Sequence, residues 1–89
     1  MIRSTIRISN KLGLHARASA KLTKLAGSFK SEGFMSRNGR RVNAKSIMGV
    51  MMLAAGVGTE VELEVDGEDE EAALQAITRL IEDKFGEGQ

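Results

Sequence analysis

Eighty-nine residues, 42% of them hydrophobic, suffice for one domain with one modest core and argue against wholesale disorder. The absence of cysteine excludes disulfides, thiolate nucleophiles and cysteine-rich zinc sites, and a single histidine excludes a multi-histidine metal site within the chain. Residues 1–59 hold eleven Lys/Arg against one acid, whereas residues 60–89 hold eleven acids against two Lys/Arg. That asymmetry suits a surface that steers an acidic partner, and it equally suits two halves that neutralise each other in the fold.

There is no Trp or Tyr to interleave stacking rings with the basic residues, so a nucleic-acid partner is not expected. Arg3 and Arg7 interrupt any N-terminal apolar run, and no apolar segment reaches the roughly 18–20 residues that span a bilayer. A soluble cytoplasmic protein without membrane insertion is expected.

Residues 2–8 alternate as a strand, with Ile2, Ile6 and Ile8 on one face and Arg3, Thr5 and Arg7 on the other. Ser9-Asn10-Lys11 breaks the pattern, and Leu12-Gly13-Leu14 leads to the lone His15. Residues 16–26 read as a helix whose inner face is Ala18, Leu22, Leu25 and, beyond it, Phe29. Lys21 and Lys24 lie off that face, and Gly27 is the expected stop. Asn38-Gly39 marks a two-residue hairpin turn. That turn pairs Arg37 with Arg40, Ser36 with Arg41, Met35 with Val42, Phe34 with Asn43 and Gly33 with Ala44. Met35 and Val42 then share the core face, and Phe34 points outward beside Ser36 and Arg41. Gly33 lacks the large core-facing residue expected there.

Residues 45–53 form a short, uniformly apolar segment with Ser46 as a good N-cap. A helix this short cannot bury every side, so some of Ile47, Met48, Met51 and Met52 should reach the surface. Residues 59–66 alternate Val61, Leu63 and Val65 with Glu60, Glu62 and Glu64. The glutamate face complements Arg3 and Arg7 and suggests that the first and last strands are neighbours. The acids from Glu68 to Glu71 suit a helix N-terminus, and Ala73, Leu74, Ile77, Leu80, Ile81 and Phe85 form its apolar stripe. Gly86 is the expected end of this helix, with the last three residues loose. The elements make one α+β domain, three helices on one face of a four-stranded, largely antiparallel sheet whose other face stays open.

A lone histidine at a strand–helix junction is ordinarily structural, but several features here favour chemistry. An isolated imidazole titrates near pH 6.5 and, when neutral, can attack phosphorus. A helix beginning at Ala16 offers the free backbone N–H groups of Ala16 and Arg17 to a phosphoryl group on His15, and Arg17 can add charge-assisted hydrogen bonds. No carboxylate lies between Asn10 and Ser31, and no Gly-rich nucleotide loop is present. The expected site is therefore a phosphate cradle without a base, completed by another protein.

Gly13-Leu14-His15-Ala16-Arg17-Ala18, followed by Val42-Asn43-Ala44-Lys45-Ser46-Ile47-Met48-Gly49-Val50-Met51, closely resembles the HPr family, the histidine phosphocarriers of the bacterial phosphoenolpyruvate phosphotransferase system. The resemblance covers essentially the whole chain, residues 1–89, in length and element order. It implies an open-faced βαββαβα sandwich with its strands in the order first, fourth, second, third. It implies that His15 accepts a phosphoryl group through Nδ1 from phosphorylated enzyme I and passes it to enzyme IIA domains in sugar uptake, without catalysis of its own. Arg17 would contact the phosphate, and Ser46 would be modified by a dedicated serine kinase/phosphorylase. Ile47, Met48 and Met51 would dock partners, with Lys21, Lys24 and Lys45 facing their acidic surfaces. A monomer without cofactor or metal is expected. The alternative is a nitrogen-branch regulator of the same fold. One departure is Ala18, where many members carry a proline that pre-sets the first helical turn.

Overall fold

The computed structural model describes residues 1–87. Its elements run β1 (Ile2–Arg7), α1 (Ala16–Gly27), β2 (Glu32–Arg37), β3 (Arg40–Asn43), α2 (Ile47–Met52), β4 (Glu60–Asp66) and α3 (Glu70–Glu82), then a 3-10 turn over Lys84–Gly86. The four strands form one antiparallel sheet in the order β1-β4-β2-β3. Ile6, Met35, Val61, Leu63 and Val65 point from the sheet into the core, joined by Ile8 just beyond β1. Ala18, Leu22 and Ala26 of α1, Val50 of α2 and Ala73, Ile77 and Ile81 of α3 cover them. Leu25 and Phe29 sit at the margin of that core rather than within it.

The hairpin follows from its turn. Asn38 and Gly39 take φ of 52° and 81°, and the register from Arg37↔Arg40 to Phe34↔Asn43 is the one a two-residue turn imposes. β1 lies beside β4 with Arg3 opposite Glu64 and Arg7 opposite Glu60, as the charge pattern requires. The pairs are not all exposed, however. The Glu64 side chain is 8% exposed, lying 3.6 Å from Arg3 Nε and 3.4 Å from Arg41 Nε. Arg41 also stacks 3.7 Å above the Phe34 ring. β4 is a central strand, so its neighbours' side chains roof the carboxylate and neutralise it.

α1 ends at Gly27, where the sequence places its stop, and Ser28 caps it in right-handed geometry with its hydroxyl donating to Leu25 O at 2.6 Å. Three local expectations are corrected. Gly33 is no weak spot, because a Cβ there would lie 3.2 Å from Ala44 Cβ and the close strand-to-loop approach favours glycine. α3 ends at Glu82, before Phe85 and Gly86. Lys84 and Phe85 both take φ of 55°, which turns the chain so that the Phe85 ring is buried without continuing the helix. Glu87 is not loose but contacts the β1–α1 loop, while residues 88–89 of the expected loose end lie outside the described residues.

The first α3 turn is tied to the α1–β2 loop by Asp69. Its carboxylate accepts from Lys30 N and Ser31 N, both at 2.8 Å, and from the Ser31 hydroxyl. The Ser31 hydroxyl, followed by the Lys30 amide, holds the Asp69 carboxyl down at about 2 from its ordinary 3.8. A depressed acid stabilises the fold above its unfolded value and loses that contribution as pH falls towards its folded value. Urea midpoints of the wild-type chain should therefore drop between about pH 4 and 2 more steeply than those of Asp69→Asn; parallel curves would remove Asp69 from the acid limb.

Gly13 has φ of +67°, and a Cβ there would lie 2.5 Å from Ala55 O. Gly13→Ala should cost at least about 1–3 kcal/mol in urea unfolding, from the left-handed backbone alone. Gly56→Ala, with open space around its Cβ and no positive φ, should stay within about 0.5 kcal/mol.

Candidate functional site

The loop between β1 and α1 is built on Asn10 and Gly13. The fully buried Asn10 side chain donates from Nδ2 to Gly13 O at 2.8 Å, and Gly13 N donates back to Asn10 O at 3.2 Å. Leu14 N donates to Ala55 O at 2.9 Å, pinning the loop to the segment after α2. His15 N then turns back onto Gly13 O at 2.9 Å. His15 is the N-cap residue of α1, extended at φ −76° and ψ 179°, and its side chain does not cap the helix. Its imidazole is thus free for other work at the end where the first N–H groups, including those of Ala16 and Arg17, lack intrahelical acceptors.

A carboxylate reaches this imidazole from the far end of the chain. Glu87 Oε2 lies 2.5 Å from His15 Nε2, and Glu87 Oε1 accepts from Asn10 Nδ2 at 3.0 Å. Burial pushes the Glu87 carboxyl up, but hydrogen bonds from Asn10 and His15 and the charges of His15 and Lys21 outweigh it and leave the group below its ordinary value. An ionised carboxylate can only accept, so this contact favours the tautomer with the proton on Nε2 and the lone pair on Nδ1. His15, Arg17, Glu87, Lys11 and Leu12 line one cleft of about 330 Å³.

Glu87 corrects the expectation of a site with no carboxylate. It lies 72 positions from His15, so no local spacing could reveal it. Nor does Phe85 disclose it, since in sequence that residue continues the stripe of α3; in the structure its burial two residues earlier anchors the strap. Lys21 Nζ adds a hydrogen bond to Phe85 O at 2.7 Å, so Lys21 holds the C-terminal strap.

The other expected residues do not line the cleft: Ile47, Met48 and Met51 lie on α2, Ser46 and Lys45 just before it, and Lys24 on α1. Ser46 Oγ accepts from Gly49 N at 3.1 Å and caps α2. Ile47, Met48, Met51 and Met52 are all exposed, Met48 at 71%, while Val50 and Leu53 turn inward. Arg37 donates to Leu53 O and Ala54 O at 2.8 and 3.1 Å and so supports the C-terminal end of α2. α1 and α2 pack together. Lys24 is exposed on α1, and Lys45 Nζ donates to Phe29 O at 3.1 Å.

A family model described as "PTS HPr component phosphorylation site" matches residues 2–83. The chain belongs to the HPr family of phosphocarrier proteins. It is 64% identical to a phosphocarrier protein HPr of Cupriavidus necator over the full length of both chains. Among solved structures, an HPr from Thermoanaerobacter tengcongensis superposes with a TM-score of 0.94 at 47% identity, covering 98% of each chain. A dimeric HPr from the same organism gives a TM-score of 0.79 at 47% identity, covering 98% of this chain and all of that one. The open-faced sandwich is thus the HPr fold. No helix among the described residues is long and apolar enough to cross a membrane.

The Ser46 cap is a separable structural contribution. Ser46→Ala should lower stability by about 1 kcal/mol, read from denaturant midpoints, as the amide of Gly49 loses its acceptor.

Proposed function

We propose that the chain carries a phosphoryl group on His15 Nδ1 from phosphorylated enzyme I to enzyme IIA domains in sugar uptake. The observation that carries this reading is the division of labour on the ring: Nε2 is engaged by Glu87 at 2.5 Å, which leaves the Nδ1 lone pair for phosphorus. In transfer, that lone pair forms the N–P bond while the bond from phosphorus to the donor breaks, its electrons remaining with the donor. The N-terminal amides of α1 at Ala16 and Arg17, the helix dipole and the Arg17 guanidinium receive the phosphoryl oxygens. The chain holds the phosphoryl group and lacks a donor site, so turnover belongs to its partners.

The α2 patch of Ile47, Met48 and Met51, flanked by Lys24 and Lys45, is where these partners dock, with Lys21 contributing charge while it holds the strap. Ser46 lies at the edge of that patch, and a phosphate there would place about −1.5 to −2 charges beside the apolar surface and oppose an acidic partner. Such a carrier works as a cytoplasmic monomer; because one relative was solved as a dimer, gel filtration of both phosphorylation states belongs with the test.

With enzyme I and phosphoenolpyruvate, the chain should gain acid-labile, alkali-stable phosphate, and His15→Ala should gain none. Arg17→Ala should slow transfer by roughly 10- to 100-fold, the worth of one charge-assisted hydrogen bond. Continued phosphorylation of His15→Ala would defeat the reading.

A further inference from the structure

We infer that Glu87 is a positioning residue for His15, holding the ring proton on Nε2 both before and after the phosphoryl group is loaded. The inference rests on the reading of His15 as the acceptor, and extends it to the state in which the phosphoryl group is given away.

Three features make the contact a built one. Phe85 is 1% exposed, and Lys21 Nζ holds its carbonyl at 2.7 Å, so the strap is anchored on the core just before Glu87. Lys84, Phe85 and Gly86 all take positive φ, which turns the chain back towards the β1–α1 loop instead of prolonging α3. Asn10, fully buried, meets two acceptors with one amide nitrogen, Gly13 O and Glu87 Oε1. That pairing ties the placement of the carboxylate to the turn that places His15.

The chemical consequence differs in the two states. In the empty ring, a carboxylate at Nε2 selects the tautomer whose lone pair is on Nδ1. In the loaded ring, phosphorus occupies Nδ1 and the same carboxylate favours a proton on Nε2. When the Nδ1–P bond breaks, its electron pair returns to Nδ1. With Nε2 protonated the leaving group is neutral imidazole, and without that proton it is the far poorer imidazolate. Arg17 and Lys11 line the same cleft and oppose a cationic ring, and Lys21 acts on Glu87, so Glu87 is the anionic side chain that counters them there.

The test uses the full chain with ¹⁵N-labelled histidine and the variants Glu87→Gln and Glu87→Ala. In the unmodified chain the neutral-ring spectrum should be that of a single Nε2–H tautomer, and Glu87→Ala should move it towards a mixture. The phosphohistidine should hydrolyse more slowly in Glu87→Gln at neutral pH, on the order of tenfold, as expected when a charge-assisted hydrogen bond is weakened. Equal tautomer populations with and without Glu87 would overturn its positioning role, because a strap serving only stability would leave them unmoved. Equal hydrolysis rates would overturn the role in the loaded state. Failure of any phosphohistidine to form would defeat the carrier reading instead, since the tautomer measurement is made on the empty ring.

Discussion

The site depends on how closely the β1–α1 loop lies against the loop after α2. Position 13 has room for hydrogen only, with Ala55 O and Gly56 Cα pressed against where a Cβ would stand. Leu14 N donates to Ala55 O across the same contact. With its backbone fixed on both sides, His15 is delivered to the first turn of α1 in an extended conformation. The imidazole then projects beside the helix N-terminus instead of capping it. Relaxing this contact would disturb the first turn of α1, the α2 segment and the Asn10 bridge together.

Around that contact the molecule separates two kinds of surface. The helical side carries the His15 cleft and the exposed apolar α2 patch, with Ser46 capping one end of α2 and Arg37 supporting the other. The open sheet face carries the opposite-charge ladder of β1 and β4, where Glu64 is roofed by Arg3 and Arg41 and Arg41 is braced on Phe34. Glu60 and Glu64 of the acidic C-terminal third are thus paired with arginines of the first half, whereas Glu87 is spent at the site. The charge asymmetry of the sequence therefore has two outcomes, one structural and one at the histidine.

Most of the fold was legible because its signals are local or periodic. Asn38-Gly39 determines the hairpin register, the Glu60/Glu62/Glu64 alternation identifies the face of β4 turned away from the core, and complementary arginines on β1 identify its neighbour. His15, Arg17 and Ser46 stood out because they flank helix starts. What stayed hidden depends on tertiary closure. Phe85 continues the apolar stripe of α3 in sequence, so nothing local discloses that Lys84 and Phe85 leave helical geometry. The arrival of Glu87 at His15 is a consequence of that departure. Gly33 looked like a flaw for the same reason, since the Ala44 side chain that crowds it comes from beyond the hairpin.

The central claim is that one nitrogen of His15 is held by Glu87 and the other receives phosphorus. The most direct measurement is ³¹P–¹⁵N coupling in the phosphorylated chain labelled at both ring nitrogens. One-bond coupling to Nδ1 is expected, with Nε2 carrying the proton. One-bond coupling to Nε2 would contradict it, because the phosphoryl group would then occupy the position that Glu87 holds.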